Sequence, residues 1–464
     1  MSAQDDEKAK LYKQIANISD LTVLHRMRQT GFWPANLGLP QEPLSERDER
    51  LKLEVDSRRL SESQRAVQNL DAELAKERTR RIQASREKRK AKEKARNEAK
   101  ALGKAAHEAR RKADVVHLGL GVSAQLEERE SDTAKLAQRG LPIVHTAHEL
   151  ASALGLSLGQ LRFLTYHRDG AAKVHYHRFS LPKKTGGQRA ISAPKPALAK
   201  AQRWIFENVL ERLEVTSVAH GFVKGRNVVS NAKPHLHKKV VINLDLKDFF
   251  PSLTFARVRG MFRGMGYSGQ VATVLALLCT EPPRVAATLD EATTYVALGA
   301  RVLPQGACTS PGLTNFACRR LDKRLHRLAE VNGFDFTRYA DDLTFSSDAS
   351  GPVGRLLRSV RAVLLSEGFV TNEKKTHVMR SGRRQEVTGV VVNDKPTIGR
   401  VELRTLRAIL HNAAKHGLES QNREGHRDFA AFLRGRVAWA CMVDPSKKLE
   451  LEEALHRALG RRVA

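Results

Sequence analysis

Cysteine is scarce in this chain of 464 residues. Cys279, Cys308, Cys318 and Cys441 are spaced too widely for a zinc knuckle or a CxxC redox pair, so they read as reduced thiols of a cytoplasmic protein. Long apolar runs are also missing. Val271 to Cys279, interrupted by Thr273, falls well short of the roughly 18–20 residues that span a bilayer. The first residues lack a basic segment followed by an apolar one, so no secretory signal is expected. Acidic residues are the third deficit: 51 Asp or Glu against 80 Lys or Arg leave a net charge of +29. A field of that sign calls for a polyanionic partner, and without an apolar span that partner is nucleic acid rather than membrane. With 41% hydrophobic residues the chain can still build a substantial core, in two or three domains.

The helical pattern Leu11 to Met27 is broken by Gly31-Phe32-Trp33-Pro34. Pro43-Leu44-Ser45 with Asp48 then predicts a helix start, after which no proline occurs up to Lys112 and Gly103 is the only glycine. Leu53, Leu60, Val67 and Leu74 recur every seven residues, but Asp56 and Ser63 thin the seam, which fits a partner helix or a lone solvated one equally well. Residues 76–112 hold 16 Lys or Arg against 5 Glu, a local charge of +11. As a helix they would extend about 55 Å, suited to following a phosphate backbone; the plain alternative is a solvated charged spacer.

Globular composition begins beyond Gly119-Leu120-Gly121. Thr146 and Glu149 predict a capped helix to Leu154, and after Gly155 the pattern resumes from Leu158 to Tyr166. Tyr176 to Pro194 reads as two strands around Lys183-Lys184-Thr185-Gly186-Gly187. Lys200 to Val215 and Thr254 to Met265 read as helices, and Val240 to Leu246 as a strand. Ser310 and Pro311 are predicted to open a helix with the stripe Leu313, Phe316, Ala317, Leu321, Leu325 and Leu328, closed by Gly333. A strand hairpin, 334–346, a helix, Gly354 to Glu367, and strands Thr376 to Met379 and Val387 to Val392 follow. From Val401 onward the pattern is helical. The strand-helix-hairpin-helix-strand order of 240–379 is that of a ferredoxin-like palm.

Asp341-Asp342 falls at the tip of that hairpin. Taken alone, such a pair is an ordinary solvated turn. The strand Val241-Ile242-Asn243-Leu244-Asp245 changes this, because a ferredoxin-like sheet sets its first strand beside the hairpin, where Asp245 can face Asp341. Carboxylates so placed suit hard divalent cations that use few protein ligands and complete their shell with phosphates. The chemistry this serves is phosphoryl transfer.

Tyr339-Ala340-Asp341-Asp342 with Asp245 resembles the active site of a reverse transcriptase. Leu303 to Pro311 resembles that superfamily's nucleotide-pocket motif, and Lys183 and Arg189, closed by Pro194, resemble its fingers grip. Asn231-Ala232-Lys233-Pro234-His235, an NAxxH pattern, and Val387-Thr388-Gly389 are similar to motifs of retron reverse transcriptases. The resemblance covers residues from about 140 to 455; the first 115 or so depart from it as an extension.

The resemblance implies an α+β right-hand polymerase with fingers and the start of the palm (116–239), a ferredoxin-like palm (240–395) and a helical thumb (396–464), preceded by the extension (1–115) that composition predicts to be helical and basic. It implies two Mg²⁺ ions, with Mn²⁺ as a substitute, bound by Asp245, Asp341 and the Leu246 carbonyl, with Asp342 as a weaker ligand. It places Phe250 as a steric gate under the sugar, Gln305 against the incoming dNTP, Lys183 and Arg189 on its phosphates, and Lys375 beside pyrophosphate. Read alone, Phe250 fits the core as well as a gate. Asn231, His235, Val387, Thr388 and Gly389 would bind RNA, and Arg400, Arg404, Arg407, Lys415, Arg434 and Arg436 would include phosphate contacts of the thumb. The implied partners are a cognate structured noncoding RNA, the RNA-linked DNA made from it by priming at a guanosine 2′-hydroxyl, and an effector protein in antiphage defence. Group II intron-type or diversity-generating reverse transcriptases share the catalytic residues, and an RNA-binding scaffold restraining an effector is the noncatalytic alternative.

Overall fold

The structure is a computed structural model that describes residues 19–37, 49, 52–53, 55–57, 59–60, 70–183, 186–289, 292–349 and 351–460. Leu11 to Ile18 of the first helical pattern, the helix start at Pro43 to Asp48, Val67 of the heptad, Lys184 and Thr185 of the basic turn, and the last four residues lie outside the described residues. The chain forms two compact units.

The first unit takes the described residues up to Glu130 together with His145–Arg168 and Ser268–Thr273. Ser19 caps a short helix, Asp20–Gln29, by accepting the Thr22 N–H. A long helix, Leu70–Ala113, runs for 44 residues. Its Ala, Glu, Lys and Arg content favours the helix without help from packing, and every residue from 78 to 105 is exposed. Leu53 and Leu74 of the heptad are exposed as well. Val115, Val116 and Leu118 begin the buried part. Glu149 donates its N–H to Thr146 Oγ1 at 3.2 Å and accepts the His145 N–H at 2.8 Å, the reciprocal cap the sequence predicts for Ala147–Leu154. The left-handed Gly155 ends that helix, and a Ser157–Gln160 capping box opens Leu158–Thr165. Buried Gln270 ties this unit together, donating to Asp114 Oδ1 and Leu126 O at 3.1 Å each and accepting the Ala147 N–H at 2.7 Å.

The second unit takes Ser131–Val144, Asp169–Tyr267 and the chain from Val274. Its strands are β1 (Gly170–Ala171), β2 (Tyr176–Pro182), β3 (Gln188–Pro194), β4 (Val240–Asp245), β5 (Arg284–Leu289), β6 (Ala292–Ala297), β7 (Asp335–Tyr339), β8 (Asp342–Ser347), β9 (His377–Arg380), β10 (Glu386–Val387) and β11 (Val390–Val391). The central antiparallel sheet has the order β7-β8-β4-β9. Its first strand sits between the hairpin and the last strand, which is the ferredoxin-like arrangement. β2–β3 and β10–β11 are separate hairpins, and β1-β6-β5 is a third small sheet.

Strand alternation divides the central sheet into an apolar and a mixed face. Val240, Ile242 and Leu244 of β4 join Leu343, Phe345 and Phe336 in one core, under the helices Arg319–Val331 and Val353–Ser366. Val241, on the other face, belongs to a second core with Val387, Val390 and the helices Arg400–His416, Phe429–Val443 and Lys448–Ala458. Central β4 is therefore packed on both sides, which explains its apolar start Val240–Ile242. The positions that follow Val241 on its face are Asn243 and Asp245. Beside them on β8 stand Asp342, Thr344 and Ser346, and Asn243 Oδ1 accepts from Thr344 Oγ1 at 3.2 Å.

Two expectations change. The helix expected to open at Ser310 starts at Thr309 and breaks at Cys318 into Thr309–Ala317 and Arg319–Val331. Ser310 does not cap it; its hydroxyl donates to Pro304 O at 2.7 Å and ties down the preceding loop. Val387 to Val392 is not one strand but a tight hairpin, because Thr388 and Gly389 both take positive φ, 47° and 84°, the signature of a primed two-residue turn.

Candidate active site

The site is built where β4 ends beside the β7–β8 turn. Asp245 pairs in register with Asp342, and the Leu246 N–H donates to Asp341 O at 3.0 Å. Asp245, Asp341 and Asp342 thus meet at one edge of the sheet. Asp245 is 8% exposed and the other two are half-buried.

The turn that aims Asp341 is an unfavourable one. Ala340 holds φ at 56°, a left-handed conformation that a residue with a Cβ adopts at a cost and that surrounding structure must enforce. Two groups enforce it. Arg338 Nη1 donates to Ala340 O at 3.2 Å, while Nε and Nη2 clamp Asp322 at 2.7 and 2.9 Å and Nη1 also reaches Asn315 Oδ1 at 3.0 Å. Both members of this ion pair are fully buried, and Thr216 Oγ1 donates to Asp322 Oδ2 at 2.6 Å. From the other side the segment Val218–Phe222 runs along β7, with the Arg338 N–H on Val218 O and the His220 N–H on Arg338 O at 2.8 and 2.7 Å. It brings Gly221 so close that a Cβ there would stand 2.4 Å from Ala340 N.

Like charges crowd the edge. Burial raises the Asp341 carboxyl above its ordinary range and Asp245 adds to the rise, while Lys375 and Arg189 oppose it. Asp342 is pushed up to about 7 by burial and by the charges of Asp341 and Asp245. Lys375 Nζ sits 2.8 Å from Asp245 Oδ1, a bond that raises the ammonium's pKa. Sequence reasoning missed Asn372, whose Nδ2 donates to Asp245 Oδ2 at 3.3 Å and whose N–H donates to Asp245 O at 2.8 Å. A cluster of hard oxygen donors that repel one another and draw in an ammonium suits divalent cations. Among the described residues no group of three or more His, Cys, Asp or Glu side chains is arranged to hold a metal ion by itself.

The nucleotide-side residues fall on two neighbouring pieces. Lys183 and Arg189 are exposed on the β2–β3 hairpin. The Ser192 N–H of β3 donates to Gln305 O at 2.7 Å, and at Gly306, φ +115°, a Cβ would stand 2.8 Å from Ser192 O. The loop that carries half-buried Gln305 is thereby pressed on the strand that carries Arg189. Phe250 packs on the first core with its ring 5.6 Å from Phe249 and 6.3 Å from exposed Phe222, so it is partly core and partly open.

Asn231, His235 and Val387 are each 0% exposed, so their side chains are held inside the fold rather than at its surface. His235 bridges the mixed face of the sheet, with Nδ1 2.7 Å from Ser346 Oγ and Nε2 2.7 Å from Thr337 Oγ1. Burial drives its pKa down to about 3, helped by the Lys238 charge, so the ring is neutral. Asn231 Nδ2 reaches Thr388 Oγ1 at 3.4 Å, and this joins the two motifs to each other. Thr388 and Gly389 are half-buried at their turn.

A ferredoxin-like sheet with carboxylates at the first strand's end and at its hairpin turn is the arrangement of a right-hand polymerase palm. Residues 181–398 match the family model of reverse transcriptase (RNA-dependent DNA polymerase). The chain is 43% identical over 407 residues to the retron Mx162 reverse transcriptase of Myxococcus xanthus, covering 82% of this chain and 81% of that one. It is 44% identical over 316 residues to the retron Mx65 reverse transcriptase of the same organism, covering 68% and 72%. With the retron Ec86 reverse transcriptase of Escherichia coli it shares 33% over 282 residues, covering 61% and 82%. The chain belongs to the retron reverse transcriptases and is an RNA-directed DNA polymerase that works on an RNA template. No helix among the described residues is long and apolar enough to cross a membrane.

Proposed function

We propose that the protein makes branched, RNA-linked single-stranded DNA from a cognate structured noncoding RNA, starting at the 2′-hydroxyl of a guanosine in that RNA. The observation that carries the polymerase chemistry is the meeting of Asp245, Asp341 and Asp342 at one sheet edge. Asp245, Asp341 and the Leu246 carbonyl would hold two Mg²⁺ ions, with Asp342 as a weaker ligand. Bound there, the ions would activate the attacking hydroxyl and stabilise charge on the leaving pyrophosphate. Lys183 and Arg189 would hold the triphosphate as charge-assisted donors, Gln305 would touch the nucleotide, and Lys375 would give a proton to departing pyrophosphate. Phe250 would exclude a 2′-hydroxyl on the incoming sugar, because a ring edge offers the hydroxyl neither space nor a hydrogen-bond partner.

In this reading residues 116–239 act as fingers, 240–395 as palm and 396–464 as thumb. The Arg and Lys side chains of the thumb would grip an RNA stem by its backbone, as A-form geometry requires. Asn231, His235 and the Val387–Gly389 turn would serve RNA recognition through the backbone and surface they hold in place. The complex would act in antiphage defence by restraining an effector protein in the cytoplasm. Co-expression of the protein with its neighbouring RNA tests the reading. Branched DNA should form with the wild type and disappear with Asp341→Asn while the RNA still copurifies; branched DNA from the variant, or none from the wild type, overturns it.

A further inference from the structure

The helix Leu70–Ala113 takes no part in the site described above. An exposed helix that served only as a spacer would be expected to pair Glu with Lys or Arg at i,i+4 along its rows. Here Lys88, Lys92, Arg96, Lys100 and Lys104 follow one another at four-residue steps without an acidic residue between them. All five are exposed. Neighbours in such a row have Cβ atoms about 5–6 Å apart and repel by about 0.2–0.5 kcal/mol per pair, so the row weakens the helix that carries it unless a polyanion neutralises it.

The charges are also one-sided. With 3.6 residues per turn, Arg78, Arg81, Arg86 and Arg89 flank the row, and Glu93 is the only acid on that half between residues 74 and 105. Glu77, Glu87 and Glu98 fall on the other half with Lys76, Arg80, Lys90 and Lys94, where Glu98 pairs with Lys94 at 4.0 Å. No Phe, Trp or Tyr occurs anywhere in the helix, so it lacks the stacking platforms by which proteins hold unpaired bases. What remains is a band of cations about 24 Å long that turns through about 160° across that half of the helix, which suits the curving line of phosphates along a duplex.

We infer that the Lys88–Lys104 row docks on the phosphate backbone of a double-stranded RNA stem, without reading its sequence. The inference is independent of the catalytic assignment, since the contact needs neither nucleotide nor metal. The test measures binding of the full-length protein to an arbitrary 20-base-pair RNA duplex across a salt series. Five phosphate contacts contribute about 4 to the slope of log affinity against log salt. Replacing all five with Gln, which keeps helix propensity, should flatten the slope by about that amount and weaken binding at least about a hundredfold near 0.1 M salt. Circular dichroism checks that the helix persists, and Lys76, Arg80, Lys90 and Lys94 replaced together serve as the control, expected to flatten the slope by less than about 1. Unchanged slope in the five-fold variant, equal losses in the two variants, or equal or tighter binding of the matching DNA duplex would each overturn the inference.

Discussion

Gly221→Ala should slow nucleotide addition without touching a catalytic side chain. Its new Cβ would meet Ala340 N at 2.4 Å, Tyr339 C at 3.0 Å and Ala340 Cα at 3.2 Å, all backbone atoms with no rotamer to yield. Ordinary contact begins near 3.4 Å, so one side must move by about 1 Å. The glycine side is held by Asn315 Nδ2 on Gly221 O at 3.0 Å and by the His220 N–H on Arg338 O at 2.7 Å. Arg338 is itself locked in its buried pair with Asp322, so the Ala340–Asp341 turn takes up much of the shift. A misplacement of about 1 Å at reacting groups costs on the order of 10²-fold in rate, or about 2.7 kcal/mol of barrier. Overpacking costs about 1–3 kcal/mol of stability. The assay is single-turnover addition of one dNTP to a primed RNA template, read beside thermal melting. A wild-type rate in a variant whose melting point has fallen would refute the claim that Gly221 sets the turn.

Arg338→Met should cost about 3–5 kcal/mol by leaving Asp322 charged and buried, and Asp322→Leu in the same chain should recover most of it; urea unfolding of the single and double variants decides, and additive losses would count against the pairing. His235 stays neutral in the fold down to about 3, whereas in the unfolded chain it gains a proton below about 6.5. The unfolded state therefore binds more protons across that window, and stability should fall by roughly 1.4 kcal/mol per pH unit as pH drops below 6.5. Urea midpoints at pH 7.5, 6.5 and 5.5 should show a shallower decline in His235→Asn, and identical declines would sink the argument. Phe250→Ala should narrow the preference for dNTP over rNTP by at least about tenfold, or roughly 1.4 kcal/mol of discrimination; an unchanged ratio of kcat/KM values would leave the ring to the core alone.

Signals that act over a few residues were legible in the sequence. The Thr146–Glu149 cap, the β2–β3 hairpin, the apolar β4 and the hairpin carrying Asp341 lie where periodicity and turn chemistry put them. Strand order places Asp245 beside the hairpin turn, facing Asp341, because a ferredoxin-like sheet leaves one place for its first strand; the register that sets Asp342 directly opposite Asp245 does not follow from that order. What stayed hidden depends on contacts between distant segments. Arg338 reads as one more cation on a basic chain, and only the fold shows it buried against Asp322. Gly221 looks like any loop glycine until Ala340 is packed on it. Val387 to Val392 has a strand's composition, yet two positive φ values fold it into a hairpin. Asn231 and His235 were recognisable as a motif, but their motif does not say that both side chains face inward.

The central claim is that three carboxylates gathered at one sheet edge catalyse RNA-templated DNA synthesis. Its most direct test is the rate of dNTP addition by purified protein on a primed RNA template with Mg²⁺, compared with Asp245→Asn and Asp341→Asn. Each variant should lose at least about a thousandfold, on the scale of losing a group that stabilises transition-state charge, and should retain affinity for the primed template. Synthesis within tenfold of wild type in either variant would contradict the account.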